Sequence, residues 1–318
     1  MYTQTLAYGR SMQSVAIHSD RVTPILERQC APVQDSEDAI LRRALENPCG
    51  MARLSSVVAP RQKVAIVVSD ITRPCPTSRI LPFLLAELEA AGVTIRDQKI
   101  VFALGSHRCH SLPEKMSLVS PAIYDRLCCE DTGNGSFVHL GRTSRGTPVE
   151  IYEPVAEADW RICVGNIEHH YFAGYTGGAK ALLPGVSSAE SVRCNHSWMV
   201  HSNATAGRIE CNPVREDIEE AAAFLGPSFL LNVVLDGNKR IVDAVGGVAV
   251  PFDTPILDRR VGLDVAPAPG ESLPYCHVFT GDEALAYVCL LYTSDAADDL
   301  LCVDLGGRRY LKKKKCTT

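Results

Sequence analysis

The chain has no run that interleaves lysine or arginine with aromatic residues, and its formal charge is −5 over 318 residues. Both features argue against nucleic acid as a partner. No apolar run is long enough to span a bilayer. The opening stretch "MYTQTLAYGRSMQSV" lacks the charged and apolar regions of a signal peptide. The 13 cysteines include no CxxC pair, and neither disulfides nor a zinc site is expected of them. They read instead as reduced, buried thiols, such as Cys163 in "WRICVG". Cys128 and Cys129 are adjacent, which is awkward for a shared tetrahedral site, and neither is given a role. These absences together predict a cytoplasmic protein.

With 46% hydrophobic and 22% charged residues, the composition is that of an ordinary globular protein. "DSEDAILRRALENPCG" places Ile40, Leu41 and Leu45 on one helical face, with Gly50 as the stop. From there strands and helices alternate. "KVAIVVS" is a short β-branched run of the kind buried in parallel sheets. "TSRILPFLLAELEAAG" is a helix with Leu81, Leu84, Leu85 and Leu88 facing inward, closed by Gly92. "KIVFAL", "SFVHL", "TPVEIYE" and "WRICVG" read as further strands. Ser111 with Glu114, and Ser187 with Glu190, are spaced as capping boxes that open helices. "NPVREDIEEAAAFLG" is a helix with proline in its first turn. "FLLNVVLD" and "RIVDAVG" form a hairpin around "GNK". The alternation predicts an α/β fold, a mostly parallel sheet flanked by helices.

The organisation expected is one α/β domain over residues 1–287, interrupted by a proline-rich insertion near 247–275. From Val288 the sequence changes character without a turn or linker and ends in a lysine run. Residues 288–318 therefore read as a non-native, read-through tail.

In open α/β sheets ligands bind outside the carboxyl ends of the strands. Three predicted strands end in polar residues that do not suit a core. "KVAIVVS" runs into Asp70 and Arg73, "KIVFAL" into His107, and "WRICVG" into Glu168, His169 and His170. Parallel, adjacent strands would bring all six to one rim. Each has a plainer reading alone: a surface ion pair for Asp70 and Arg73, an ordinary loop histidine for His107. The turn "GYTGGAKA" then delivers Lys180. It is not a Walker A loop, because Ala179 and Ala181 flank the lysine. Gly177 and Gly178 leave backbone N–H groups unshielded, a nest suited to a phosphate, although a tight strand-to-helix turn would also need them.

Taken together, "SDITRP", "ALGSHR", "EHHYFAGYTGGAKALLPG", the "NH" at Asn195–His196 and "NPVREDIEE" resemble the nickel-dependent lactate racemases, over roughly Ser36 to Gly246. Ser106 stands where that family usually has threonine. The resemblance implies a Rossmann-like N-terminal domain of a two-domain enzyme, with the second domain absent or replaced in this chain. It implies a nickel-pincer nucleotide, a pyridinium mononucleotide with two sulfur-bearing arms, one joined to Lys180 as a thioamide. Thr176, Gly177 and Gly178 would lie against it, and His196 would be the metal's one protein ligand. It further implies racemisation or epimerisation of a lactate-like 2-hydroxy acid, by removal of the C2 hydrogen as hydride. His107 and His170 match the two proton-carrying bases. Arg73 would orient the carboxylate, and Asp70 would hold Arg73 or fix a histidine tautomer. Expected partners are the small 2-hydroxy acid and the enzymes that build the cofactor. A fragment that binds only the nucleotide or a phosphate is the alternative.

Overall fold

The structure, a computed structural model, describes residues 2–8, 11–18, 35–133, 135–226 and 228–246, with three short strands beyond. The proline-rich stretch at 247–275 lies outside them. So does most of the tail from Val288. Residues 1–34 form a unit separate from the remainder. Its described part is an antiparallel hairpin of β1 (Tyr2–Tyr8) and β2 (Ser11–Ile17).

The main unit begins with α1 (Glu37–Glu46) and α2 (Leu54–Val57), followed by β3 (Val64–Ser69), α3 (Thr77–Ala90) and β4 (Gln98–Ala103). Next come α4 (Leu112–Val119), α5 (Pro121–Tyr124), β5 (Cys128–Asp131), β6 (Phe137–Arg142), β7 (Pro148–Tyr152) and α6 (Glu153–Ala156). Then follow β8 (Trp160–Asn166), β9 (His169–His170), β10 (Gly174–Tyr175), α7 (Ala189–Ser197) and α8 (Pro213–Ala222). The strands β11 (Ser228–Leu235) and β12 (Ile241–Gly246) complete the sheet. Further on, β13 (Cys276–His277), β14 (Cys302–Asp304) and β15 (Tyr310–Lys312) pair with one another.

Six strands form the central sheet in the order β12-β11-β8-β3-β4-β5. All neighbours are parallel except β11 and β12, the hairpin around "GNK". The central strands are apolar on both faces because both faces are covered. Val64, Ile66 and Val68 pack on one side with Ile40 and Leu41 of α1 and Ile80, Leu81, Leu84 and Leu88 of α3. Ala65 and Val67 pack on the other with Val214, Ile218 and Ala221 of α8 and with Ala179 and Leu182 beside Lys180. Burying each valine or leucine contributes about 1.5–3 kcal/mol, so these layers fix the frame that carries the site.

Several sequence expectations need adjustment. α1 stops at Glu46, capped by Asn47, and Gly50 follows with φ 72°. Leu85 is only half-buried, and the fourth inward position of α3 is Ile80. The capping box at Ser111 is present. The one at Ser187 is not: Ser188 caps α7, accepting from the Ser191 N–H, while the Ser187 hydroxyl donates to the Leu182 carbonyl. β6 and β7 form a two-stranded sheet of their own, outside the main sheet, and Ile151 of β7 also bridges to Ser187. Cys128 and Cys129 open the edge strand β5, which the sequence did not signal. The reduced, buried thiol holds for Cys75 and Cys163, but Cys109 and Cys128 are exposed and Cys211 is disulfide-bonded.

Candidate functional site at the carboxyl edge of the sheet

β8, β3 and β4 lie side by side and parallel. The chain builds outward from β3 to β4 and β5, then returns to add β8 on the other side. The crevice at such a reversal is where open α/β sheets bind ligands. A cavity of about 290 Å³ opens there, lined by Asp70, Arg73, His107, His170, Lys180 and His196 among others. Thr176 and Gly177 also line it. Gly178 is buried outside the lining, and Glu168 and His169 are exposed and outside it.

Asp70 follows β3 directly and is buried. Its carboxylate accepts from the Thr72 hydroxyl at 2.9 Å and lies 2.8 Å from His107 Nδ1. Arg73 Nε stands 3.8 Å from the same carboxylate. The carboxylate thus faces both Arg73 and His107, at hydrogen-bond distance from the second. A carboxylate has no hydrogen to give, so His107 Nδ1 is the donor and Nε2 keeps its lone pair. The His107 loop turns through Gly105, at φ 56°, whose N–H donates to the Gly185 carbonyl at 2.9 Å. That bond ties it to the segment bearing Lys180.

His170 is held differently. It sits in the two-strand hairpin β9–β10, opposite Gly174. Thr176 staples this hairpin to the end of β8: its hydroxyl donates to the Asn166 carbonyl at 2.7 Å and accepts from the Glu168 N–H at 2.9 Å. The Ala173 N–H donates to His170 Nδ1 at 3.2 Å. A neutral His170 therefore carries its hydrogen on Nε2. Burial, reinforced by the charges of Lys180 and Arg73, pushes its pKa down to about 3. His196, on α7, is lowered to about 4 by burial and by Lys180, against an opposing hydrogen bond to the Val192 carbonyl. Lys180 falls to about 7, first through burial and then through Arg73 and Arg215, with Asp70 and Glu168 opposing. Near neutral pH much of this amine is uncharged and nucleophilic.

The glycines have an explanation within the chain. Gly177 adopts φ 78°, and a Cβ there would meet Asn232 Oδ1 at 2.9 Å. The bare backbone is required by the turn before any ligand is considered.

Residues 8–207 match the lactate racemase N-terminal domain. The chain belongs to the lactate racemase family. It is 33% identical to a lactate racemase of Thermoanaerobacterium thermosaccharolyticum over 249 residues, 76% of this chain and 58% of that protein. With a lactate racemase of Lactiplantibacillus plantarum it shares 30% identity over the same coverage. The solved structure of the T. thermosaccharolyticum lactate racemase apoprotein superposes with a TM-score of 0.66 at 32% identity, over 77% of this chain and 59% of that one. A Thermotoga maritima protein shares the fold, with a TM-score of 0.53 at 20% identity. The chain spans less than two thirds of the length of these lactate racemases.

In and around this cavity, sequence reasoning missed several residues. Asn232, on β11 opposite Gly165, lines the cavity floor. Arg215 is fully buried on α8, with Nε 3.2 Å from Glu219. Its signal was present, because Arg215 is seven residues from Ala222 and so shares its apolar face. His110 is a second buried histidine near the rim. Its Nε2 accepts from the Ile71 N–H at 3.1 Å and its Nδ1 donates to Asp131 at 2.7 Å. It braces the Asp70–Arg73 turn against the end of β5. Nothing in "SHRCHS" distinguishes its role from that of His107.

Proposed function

We propose that this chain carries the cofactor-binding part of a 2-hydroxy-acid racemase or epimerase, organised around a nickel-pincer nucleotide joined to Lys180. One observation carries the reading: Lys180, His196, His107, His170 and Arg73 line a single cavity. The residues fit the group on three counts. Lys180 has the lowered pKa that covalent attachment through nitrogen calls for. His196 offers one imidazole, a donor that suits nickel. Among the described residues no cluster of three or more His, Cys, Asp or Glu could hold a metal, so a metal here would draw its other donors from a non-protein group. Gly177 and Thr176 lie beside that group in this reading, with Gly178 shaping the turn.

When bound, the group supplies an acceptor for the C2 hydrogen and its electron pair. The chain's own residues do the remaining work. Arg73 holds the substrate carboxylate by charged hydrogen bonds. His107 takes the hydroxyl proton on Nε2, and Asp70 stabilises the imidazolium that results. His170 acts from the far side of β3. Its Nε2–H donates to the substrate oxygen, and it becomes a base only when its hydrogen moves to Nδ1. Return of the hydrogen to either face of a flat 2-keto acid, with the proton given back, yields either enantiomer. The reading sets the protein in the cytoplasm with the cofactor-building enzymes. Seven free thiols among the described residues support that setting, while the disulfide at Cys211 stands against it.

The test is intact-mass and metal analysis of protein co-expressed with the cofactor-building enzymes. The expected result is a mass addition lost in Lys180→Ala, with nickel bound. Unmodified protein without nickel would overturn the reading. A second reading, cofactor binding without turnover, is favoured by the chain's covering 58% of its relatives. Racemisation by a version of the relatives' full length, but not by this chain, would establish it.

A further inference from the structure

His196 lines the cavity and also meets a buried polar chain with no part in the reaction described above. His196 Nδ1 lies 3.2 Å from Asn195 Oδ1. The orientation of the Asn195 amide decides what that contact is. Asn195 is fully buried, and its Nδ2 lies 3.0 Å from the Val214 carbonyl and 2.8 Å from Asp217 Oδ2. Both are acceptors only, so the amide nitrogen belongs on their side and its oxygen faces the imidazole. An amide oxygen cannot donate. His196 Nδ1 therefore carries the hydrogen, with the Val192 carbonyl one turn back on α7 as a second acceptor, and the lone pair of the neutral ring is on Nε2.

Asp217 is itself anchored. It is fully buried and accepts from Thr143 Oγ1 at 2.5 Å and Thr147 Oγ1 at 2.8 Å. The chain runs from the turn between β6 and β7, through Asp217 on α8, to Asn195 and His196 on α7. Every donor in it has an acceptor, and the direction of each bond is set by the carboxylate. Such a buried network is costly to leave half satisfied, so its polarity is fixed when the protein folds, before any ligand arrives.

We propose that Asn195 and Asp217 are positioning residues that hold His196 with Nε2 bare, ready to donate to a metal of intermediate softness. The proposal rests on the reading of His196 as a metal ligand. Partners of this kind fix the tautomer and orientation of ligating histidines, and their loss typically weakens metal binding about 10–100-fold. It also gives a physical reason for asparagine beside His196 and for an aspartate inside the apolar face of α8.

The first test needs no cofactor. Nitrogen-15 NMR of the metal-free chain at pH 7.5 reports which ring nitrogen is protonated, with the His196 signal assigned by its loss in His196→Gln. The expected result is Nδ1–H in the unaltered chain and a smaller Nδ1–H population in Asn195→Leu, where the Val192 carbonyl remains as an acceptor. Thr143→Val removes a buried hydrogen bond from Asp217 without touching the amide. It should lower the melting temperature and leave the tautomer unchanged. An Nε2–H ring in the unaltered chain overturns the proposal even where Asn195→Leu does not fold, and so does an unchanged ring in folded Asn195→Leu. The second test is nickel content after co-expression with the cofactor-building enzymes. Asn195→Leu should keep the Lys180 mass addition and hold nickel at least 10-fold more weakly. Equal nickel retention overturns the proposal. An Nδ1–H ring in a protein that never takes up nickel would leave the positioning intact and remove the metal reading instead.

Discussion

His107 and His170 reach the cavity from strands on either side of β3, and they are held in contrary senses. His107 gives its Nδ1 hydrogen to a buried carboxylate, so its free nitrogen is a base with a countercharge behind it. His170 receives a backbone N–H on Nδ1 and is surrounded by cations, so its free nitrogen is a donor and its protonated form is disfavoured. Two identical side chains thus acquire different competence from one hydrogen bond each. Sequence cannot make this distinction, because the partners are an aspartate 37 residues upstream of His107 and a main-chain amide.

The contrast sets the predictions. In cofactor-loaded enzyme of full length, His107→Ala should lower kcat about 10²–10⁴-fold. Asp70→Asn should cost nearly as much, since a neutral amide no longer supplies the countercharge that stabilises the imidazolium. The Lys180 mass addition should persist in both. Equal activity in Asp70→Asn would show that the carboxylate backing is dispensable. Glutamine, which can donate but cannot act as a base, separates the two rings further. His170→Gln should lose about 10-fold less kcat than His107→Gln. Equal losses would mean that both rings work as bases in turn.

Lys180 offers a smaller effect, readable without cofactor. Its reaction with an amine-directed reagent, followed by mass spectrometry, should show a midpoint near pH 7. Arg73→Met should raise that midpoint, because it removes the larger of two cationic neighbours.

The smallest effect is on stability. His170 has its pKa lowered to about 3, so below about pH 6.5 the unfolded chain binds a proton that the folded chain refuses. Stability contributed by the neutral ring is complete above about pH 6.5. It declines by about 1.4 kcal/mol per pH unit as acidity rises toward the folded-state pKa. Denaturant titrations of the chain and of His170→Gln between pH 4 and 7 should diverge with that slope. Parallel curves would place His170 in a wetter setting than its burial indicates.

The fold was legible where the physics is local. "KVAIVVS", "KIVFAL" and "WRICVG" announce buried parallel strands, and the polar residues that end them announce the rim. The capping serine of α7 was misplaced by one residue because Ser187 and Ser188 both suit the role, and only the tertiary bond from Ser187 to Leu182 decides between them. β5 escaped because an edge strand of four residues carries too little pattern. In the site, the groups with evident chemistry were legible and their supports were not. His110 meets Ile71 and Asp131, and Asn195 meets Asp217, only after folding, and a buried polar chain has no periodicity to betray it.

The bond from the Gly105 amide to the Gly185 carbonyl joins the loop of His107 to the arm of Lys180. Loading the amine should therefore register as a perturbed amide resonance at Gly105, whose N–H is bonded to the lysine's own segment.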